Sequence, residues 1–180
     1  EDKGWIFSKG LAIAATGFLT WFLTAIRLIP FTALTCAAVT ILCAVICFFL
    51  LRKESKEKTE CFPVDRISLI YWEELLFSLA FLMWTYLAGF RPAAYGTEKF
   101  MDYGFMEAMM RSTTLPARDL WYSEGHINYY YGGQYFAVFL TKLSHTKVEL
   151  TYNLMRTFVA GLAFAMPFSL VYQMMSDRMK

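Results

Sequence analysis

Apolar residues in this chain are gathered into long blocks that short polar stretches separate. Two blocks near the start, about Leu11 to Ile29 and Phe31 to Leu51, approach the roughly 20 apolar residues that a helix needs to cross a bilayer core. The second block contains no charged residue. The first contains Arg27 close to its end, where the side chain can reach the lipid–water interface. Both blocks are predicted to be transmembrane helices, with Pro30 in the turn between them.

A polar stripe runs along the first block. Thr16, Thr20 and Thr24 recur every four residues, so they share one face of a helix. Small hydroxyl residues at this spacing are typical of surfaces where membrane helices pack against each other. We therefore expect this face to be a packing surface.

Three further apolar blocks follow, at about Ile67 to Phe90, Tyr131 to Leu143 and Leu150 to Met175. The first and last are long enough to cross a bilayer. The middle one is short unless neighbouring helices thin the bilayer around it. The pattern predicts an all-α, polytopic membrane protein with about five transmembrane helices and an extracytoplasmic loop that carries membrane-surface helices.

Charge placement predicts the orientation of these helices. The linker Arg52 to Glu60 (RKESKEKTE) is rich in lysine, and Lys3 and Lys9 precede the first block. Short basic segments stay on the cytoplasmic side of a membrane. The loop from Arg91 to Tyr131 is then extracytoplasmic, the fourth block returns inward, and the tail from Asp177 lies outside.

The composition supports the membrane class. Hydrophobic residues make up 57% of the 180 residues and charged residues 18%, with a mean hydropathy of +0.39. A soluble domain carries fewer apolar residues, and the net charge of +2 excludes a strongly basic nucleic-acid binder. The lipid bilayer of the cell (plasma) membrane is the predicted partner and location.

Two regions are predicted along the chain. Residues 1–66 form an N-terminal transmembrane hairpin with a basic cytoplasmic linker, and residues 67–180 form the N-terminal part of a larger membrane domain. Because the chain starts at Glu1 without a methionine and stops in a charged tail, we expect it to be a piece of a longer protein.

The polar stretch from Gly96 to Gln134 is where chemistry is expected. It should contain a membrane-surface helix from Glu98 to about Arg111, with Thr97 as its N-cap. Glu98 and Asp102 stand four residues apart, so they share one helix face. Two such carboxylates can act as a general base or as ligands for a divalent cation, Mg²⁺ or Mn²⁺. Alternatively, they only complement the helix dipole.

A second cluster lies at the end of this stretch. It consists of His126, Asn128 and the tyrosines Tyr129, Tyr130 and Tyr131. Tyrosine rings can stack on sugars, and their hydroxyls can bind phosphate oxygens. An aromatic belt at the membrane interface is the alternative interpretation.

Glu73 and Glu74 are two carboxylates inside the third apolar block. Ionisable groups within membrane helices are candidates for function. These two lie near the predicted cytoplasmic end, where a charge costs little, so a structural role is favoured.

Several motifs together resemble a known family. They are T-E-K-F-M-D at Thr97 to Asp102, I-N-Y-Y-Y at Ile127 to Tyr131, and W-E-E-L-L-F at Trp72 to Phe77. Over about Ile67 to Met175 the chain resembles the YYY-domain membrane proteins, also called DUF2298. That family is grouped with the GT-C glycosyltransferases, multi-pass enzymes that take sugar from a polyprenyl-phosphate carrier.

The resemblance implies a glycosyltransferase whose first extracytoplasmic loop bears an acidic catalytic residue. Asp102 and Glu98 match the acidic motif. Such enzymes usually have more helices and a C-terminal portion, so this chain alone is expected to be inactive. A membrane carrier or flippase for a lipid-linked or small polar substrate, and a non-catalytic membrane scaffold, are the alternatives. The sugar, the acceptor and the oligomeric state stay open.

Charge and aromatic character extend the predicted site beyond the two acids. Arg91, Lys99 and Arg118 are predicted to balance the phosphate of the donor lipid. His126, Asn128 and the three tyrosines are the other predicted substrate-binding residues.

Overall fold

The fold was analysed in a computed structural model, which describes residues 4–55, 64–96 and 98–178. Over these residues the chain forms six helices and no strand. They are α1 (Trp5–Ala25), α2 (Ala33–Ser55), α3 (Val64–Gly89), α4 (Lys99–Arg111), α5 (Gly132–Ser144) and α6 (Val148–Arg178). The predicted all-α fold is confirmed, and each predicted apolar block coincides with a helix.

Four of these helices, α1, α2, α3 and α6, are long and apolar enough to cross a membrane. The helix α2 shows the character of such a span most clearly. Its leucine, isoleucine and phenylalanine side chains are largely exposed, from Leu34 to Leu51. A continuous apolar surface of this size needs a lipid or protein partner. The chain is therefore a polytopic membrane protein.

The described helices fall into two compact units. The terminal unit comprises Glu1–Ala12, Thr59–Pro92 and Asn153–Lys180, and the central unit comprises Ile13–Lys58 and Ala93–Tyr152. These units are defined by contacts in space. The division of the sequence at residue 66 stays a prediction.

In the terminal unit, α6 runs antiparallel to α3. The Thr85 hydroxyl donates a hydrogen bond to the Thr157 hydroxyl at 3.1 Å, and the Asn153 amide donates to the Pro92 carbonyl at 2.7 Å. Further along, Gly161 lies directly against Phe77. The helix α6 therefore begins at the end of this unit where α3 ends.

This arrangement differs from the prediction for the fourth apolar block. The helix α5 that forms there has 13 residues, which span about 20 Å at 1.5 Å per residue. The hydrocarbon core of a bilayer is about 30 Å thick. Because α6 starts beside the end of α3, the segment between these two helices leaves the terminal unit and returns to it at the same end. The described helices thus provide four spans rather than about five.

The first turns of α1 pair with α3 in the same unit. Lys9 Nζ lies 2.7 Å from Glu74 Oε2, and the Trp5 indole N–H donates to Glu74 Oε1 at 2.6 Å. The side chain of Glu73 is fully buried. The contacts of Glu74 support the structural role that the sequence favoured for it.

In the central unit, the threonine stripe of α1 is buried as predicted. Thr16, Thr20 and Thr24 are 8% exposed or less. On the same helix, Gly17 gives room to the Phe136 ring, and its carbonyl accepts a hydrogen bond from the Tyr135 hydroxyl at 2.7 Å. Close backbone approach at a small residue is how membrane helices pack. It fixes α5 against α1.

Candidate functional site

The acidic motif lies at the start of α4. Glu98 occupies the N-cap position, and its side chain makes no capping hydrogen bond. Thr97, the predicted N-cap, lies outside the described residues. The backbone N–H of Asp102 donates to the Glu98 carbonyl at 3.0 Å, so the two carboxylates stand one helical turn apart. The observed start at Lys99 agrees with the predicted helix to within one residue.

Asp102 is joined through Gln134 to α5, the helix that directly follows the tyrosine motif. The amide Nε2 of Gln134, in the first turn of α5, donates to Asp102 Oδ1 at 2.7 Å. A hydrogen bond to a carboxylate is stronger than one between neutral groups. It holds one carboxylate oxygen in a defined direction.

Tyr130 lies beside the same two acids, and its ring packs against that of Tyr129. Their rings are 4.0 Å apart between centroids and tilted by 33°. The pKa of the Tyr130 hydroxyl is raised to about 12, because it hydrogen-bonds with Tyr129 and lies in the negative field of Glu98 and, more weakly, Asp102. Tyr130 is therefore a protonated hydroxyl, able to donate, at neutral pH.

The third tyrosine has a different position. Tyr131 accepts a hydrogen bond from the Trp21 indole N–H of α1 at 3.1 Å. Tyr129 packs toward Phe105 of α4, with ring centroids 6.2 Å apart. These contacts fix the tyrosine segment between α1 and α4. Tyr130 lies by the acids, whereas Tyr129 and Tyr131 anchor the segment.

A short hairpin carries Arg118 and His126. The two residues form an isolated antiparallel bridge, and the Ile127 N–H donates to the Ala117 carbonyl at 2.9 Å. Asp119 closes the turn, since its Oδ1 accepts from the backbone N–H groups of Trp121 and Tyr122 at 2.8 and 3.0 Å. The side chains of His126 and of Asn128, which follows the hairpin, are exposed.

The predicted cations belong to three different elements of the chain. Lys99 is the first residue of α4, next to Glu98. Arg118 lines a cleft with Arg111 at the other end of α4. Arg91 follows α3 in the terminal unit. The substrate-binding roles of these cations, and of His126 and Asn128, stay predictions.

Three residues of this region were not predicted from the sequence: Gln134, Arg111 and Lys142. Lys142 is almost fully buried; its ammonium group donates to the Met110 carbonyl at 2.9 Å and lies 4.6 Å from the Phe31 ring centroid. Burial lowers its pKa. The sequence feature that could have indicated Lys142 is that it is a single lysine inside the apolar run of α5. Gln134 ended the polar stretch that the sequence singled out, but no role was predicted for it.

The donor set for a divalent cation is small. Among the described residues, no group of three or more His, Cys, Asp or Glu side chains converges. Mg²⁺ is commonly held by one or two carboxylates together with substrate phosphates. Glu98 and Asp102 fit such a cation only jointly with a bound phosphate.

Comparison with known proteins identifies the family. The family model described as an uncharacterised membrane protein (DUF2298) matches residues 15–180. The chain belongs to the DUF2298 family. No curated protein and no solved structure matches it. All three sequence motifs of the resemblance lie inside the matched DUF2298 region.

Proposed function

We propose that this DUF2298 chain carries the acidic site of a membrane glycosyltransferase. The donor is a sugar linked to a polyprenyl phosphate, and transfer takes place on the extracytoplasmic face of the plasma membrane. The grouping with the GT-C enzymes is part of this proposal. The observation that carries it is the hydrogen bond from Gln134 to Asp102, because it joins the acidic motif to the helix that directly follows the tyrosine motif.

The arrangement suits an inverting transfer. An acceptor hydroxyl gives its proton to Asp102 or Glu98 while its oxygen forms a bond to the anomeric carbon of the donor sugar. The bond from that carbon to the phosphate oxygen breaks, and its electron pair leaves with the polyprenyl phosphate. Attack opposite the leaving group inverts the anomeric configuration.

Neighbouring residues have supporting roles in this proposal. Gln134 orients the Asp102 carboxylate so that its second oxygen faces the acceptor. Tyr130 donates a hydrogen bond to a sugar hydroxyl, and the paired rings of Tyr129 and Tyr130 stack on the sugar. Lys99 offsets charge on the leaving phosphate. A divalent cation, Mg²⁺ or Mn²⁺, held by Glu98, Asp102 and the phosphate, would supply further charge neutralisation.

Transfer from a labelled polyprenyl-phosphate sugar by the full-length protein in liposomes tests this proposal. Asp102→Asn and Glu98→Gln are compared with Glu124→Gln, an exposed acid of the hairpin whose carboxylate lies 3.4 Å from the Tyr122 hydroxyl. We expect the first two to reduce transfer strongly and the control to retain it. Transfer that is unchanged in both acidic variants would exclude the proposed site.

A carrier for a lipid-linked or small polar substrate is the second candidate. It is favoured by the buried Glu73 inside α3 and the adjacent Lys9–Glu74 pair, because carriers keep ionisable groups within their spans. Substrate uptake that is lost in Glu73→Gln and retained in Asp102→Asn would favour this candidate. A scaffold would tolerate both substitutions.

A further inference from the structure

The C-terminal end of α4 forms one wall of an open cleft of about 420 Å³ that is separate from the acidic motif. Its lining includes two arginines, Arg111 and Arg118, and the hydroxyl residues Ser112, Thr113 and Thr114. Arg111 lies nine positions after Asp102, which corresponds to about 13 Å along a helix. A phosphate in this cleft is therefore too distant to be the one displaced at Asp102.

The negative groups near this cleft are already engaged. Arg111 Nη1 donates to Glu107 Oε2 at 3.2 Å. This contact uses one nitrogen of the guanidinium group, which has five N–H donors. Asp119 also lines the cleft, but its Oδ1 is held by two backbone N–H groups. Arg118 is exposed, and within the part of the chain that the structure describes no side chain pairs with it.

The end of a helix normally disfavours an anion, because its last carbonyls carry partial negative charge. Here those carbonyls have donors from the protein. The Ser112 backbone N–H donates to the Ala108 and Met109 carbonyls at 3.1 and 3.3 Å, and the Lys142 ammonium group donates to the Met110 carbonyl at 2.9 Å. The cleft is left with two guanidinium groups as its strongest polar donors.

We propose that this cleft, formed by Arg111 and Arg118, binds a phosphate group. Two planar guanidinium forks match the oxygens of a phosphate, and neighbouring hydroxyls can donate further hydrogen bonds. The phosphate belongs either to the headgroup of a membrane lipid or to a soluble phosphate compound. This site goes beyond the proposed transfer and does not depend on it.

Binding to the full-length protein in dodecyl maltoside micelles, which contain no phosphate, tests the cleft. One arm adds inorganic pyrophosphate from solution, and the other adds dodecyl phosphate to the micelles. The readout is the rise in thermal unfolding midpoint with probe concentration, since a ligand of the folded state stabilises it. The variants are Arg118→Gln, the double variant R111Q/R118Q, and the control Arg52→Gln, an exposed arginine at the end of α2.

We expect at least one of the two probes to raise the thermal unfolding midpoint of the wild type, and to raise that of Arg52→Gln by the same amount. The apparent affinity should fall about tenfold in Arg118→Gln and further in the double variant, because each charge-assisted contact is lost. A response to dodecyl phosphate alone assigns the cleft to lipid headgroups, and a response to pyrophosphate alone to soluble phosphates. The proposal is overturned if neither probe binds, or if Arg118→Gln binds as the wild type does. Arg118→Gln keeps the test decisive should the double variant fail to fold.

Discussion

The amide of Gln134 lies 2.7 Å from a carboxylate oxygen of Asp102, and this contact joins α5 to α4 across 32 positions of sequence. It brings the end of the acidic motif to the first turn of the helix that follows the tyrosine motif. The two acids, two tyrosines and the glutamine then form one polar group, which the proposed transfer uses.

Replacing Gln134 should affect the rate of transfer more than donor binding. Gln134→Leu removes the donor to Asp102 while filling similar space, so the carboxylate loses its fixed direction. We expect kcat to fall about tenfold or more, since a charge-assisted hydrogen bond is worth about 1.5–3 kcal/mol. Steady-state kinetics measure this, with Gln173→Leu, a glutamine of α6, as the matched control. An unchanged kcat would show that the hydrogen bond does not position the acid.

The pKa of the Tyr130 hydroxyl should depend on the negative charge of Glu98. The pKa of about 12 in the folded protein lies above the ordinary tyrosine value, so this group contributes stability that is complete below about pH 10 and is lost as pH rises toward 12. NMR of ¹³Cζ-labelled tyrosine, with the signal assigned by Tyr130→Phe, follows the titration. In Glu98→Gln the pKa should move down, because the negative neighbour is gone. If it does not move, Glu98 and Tyr130 are not close.

Lys142 should be a stabilising residue. Lys142→Ala leaves the Met110 carbonyl without its donor and removes the ammonium group that lies over the Phe31 ring. We expect a loss of about 2–3 kcal/mol in the free energy of unfolding. Lys147→Ala, an exposed lysine just before α6, should change it by about 0.5 kcal/mol or less. Denaturant unfolding in detergent compares the two, and equal effects would contradict the buried contact.

Gly17 should tolerate no larger side chain. A Cβ at this position would lie 2.5 Å from Phe136 Cε1, so Gly17→Val forces α1 and α5 apart. Overpacking of this kind costs about 1–3 kcal/mol. At Gly133 an added Cβ meets no atom within 4 Å, so Gly133→Ala is the control. Thermal unfolding midpoints that are equal in the two variants would contradict the packing of these helices.

The helices were predictable from the sequence because long apolar runs are the strongest signal that a membrane protein carries. The block at Tyr131 to Leu143 was the exception, since a 13-residue apolar run suits both a short crossing and a helix packed against other helices. The contacts of Asn153 and Thr157 with the end of α3 decide between them. Such contacts depend on tertiary packing and cannot be predicted from the hydropathy of the sequence.

The site was predictable only in part. The motifs indicated Glu98, Asp102 and the three tyrosines as candidate site residues, and in the structure Tyr130 lies in the field of both acids. The partner of Asp102 could not be predicted, because it depends on how α4 packs against α5. The positive charge of Arg118 indicated a phosphate-binding role, but the sequence did not indicate where this residue lies. In the structure, the hairpin places it in the cleft that Arg111 also lines.

The most direct test of the central proposal is sugar transfer from a labelled polyprenyl-phosphate donor by the full-length protein, with Asp102→Asn beside the wild type and Glu124→Gln. The account predicts that Asp102→Asn lowers the rate by about 10²–10⁴-fold, as expected for loss of a general base, while Glu124→Gln keeps the wild-type rate. Wild-type transfer that is unchanged in Asp102→Asn would contradict the account.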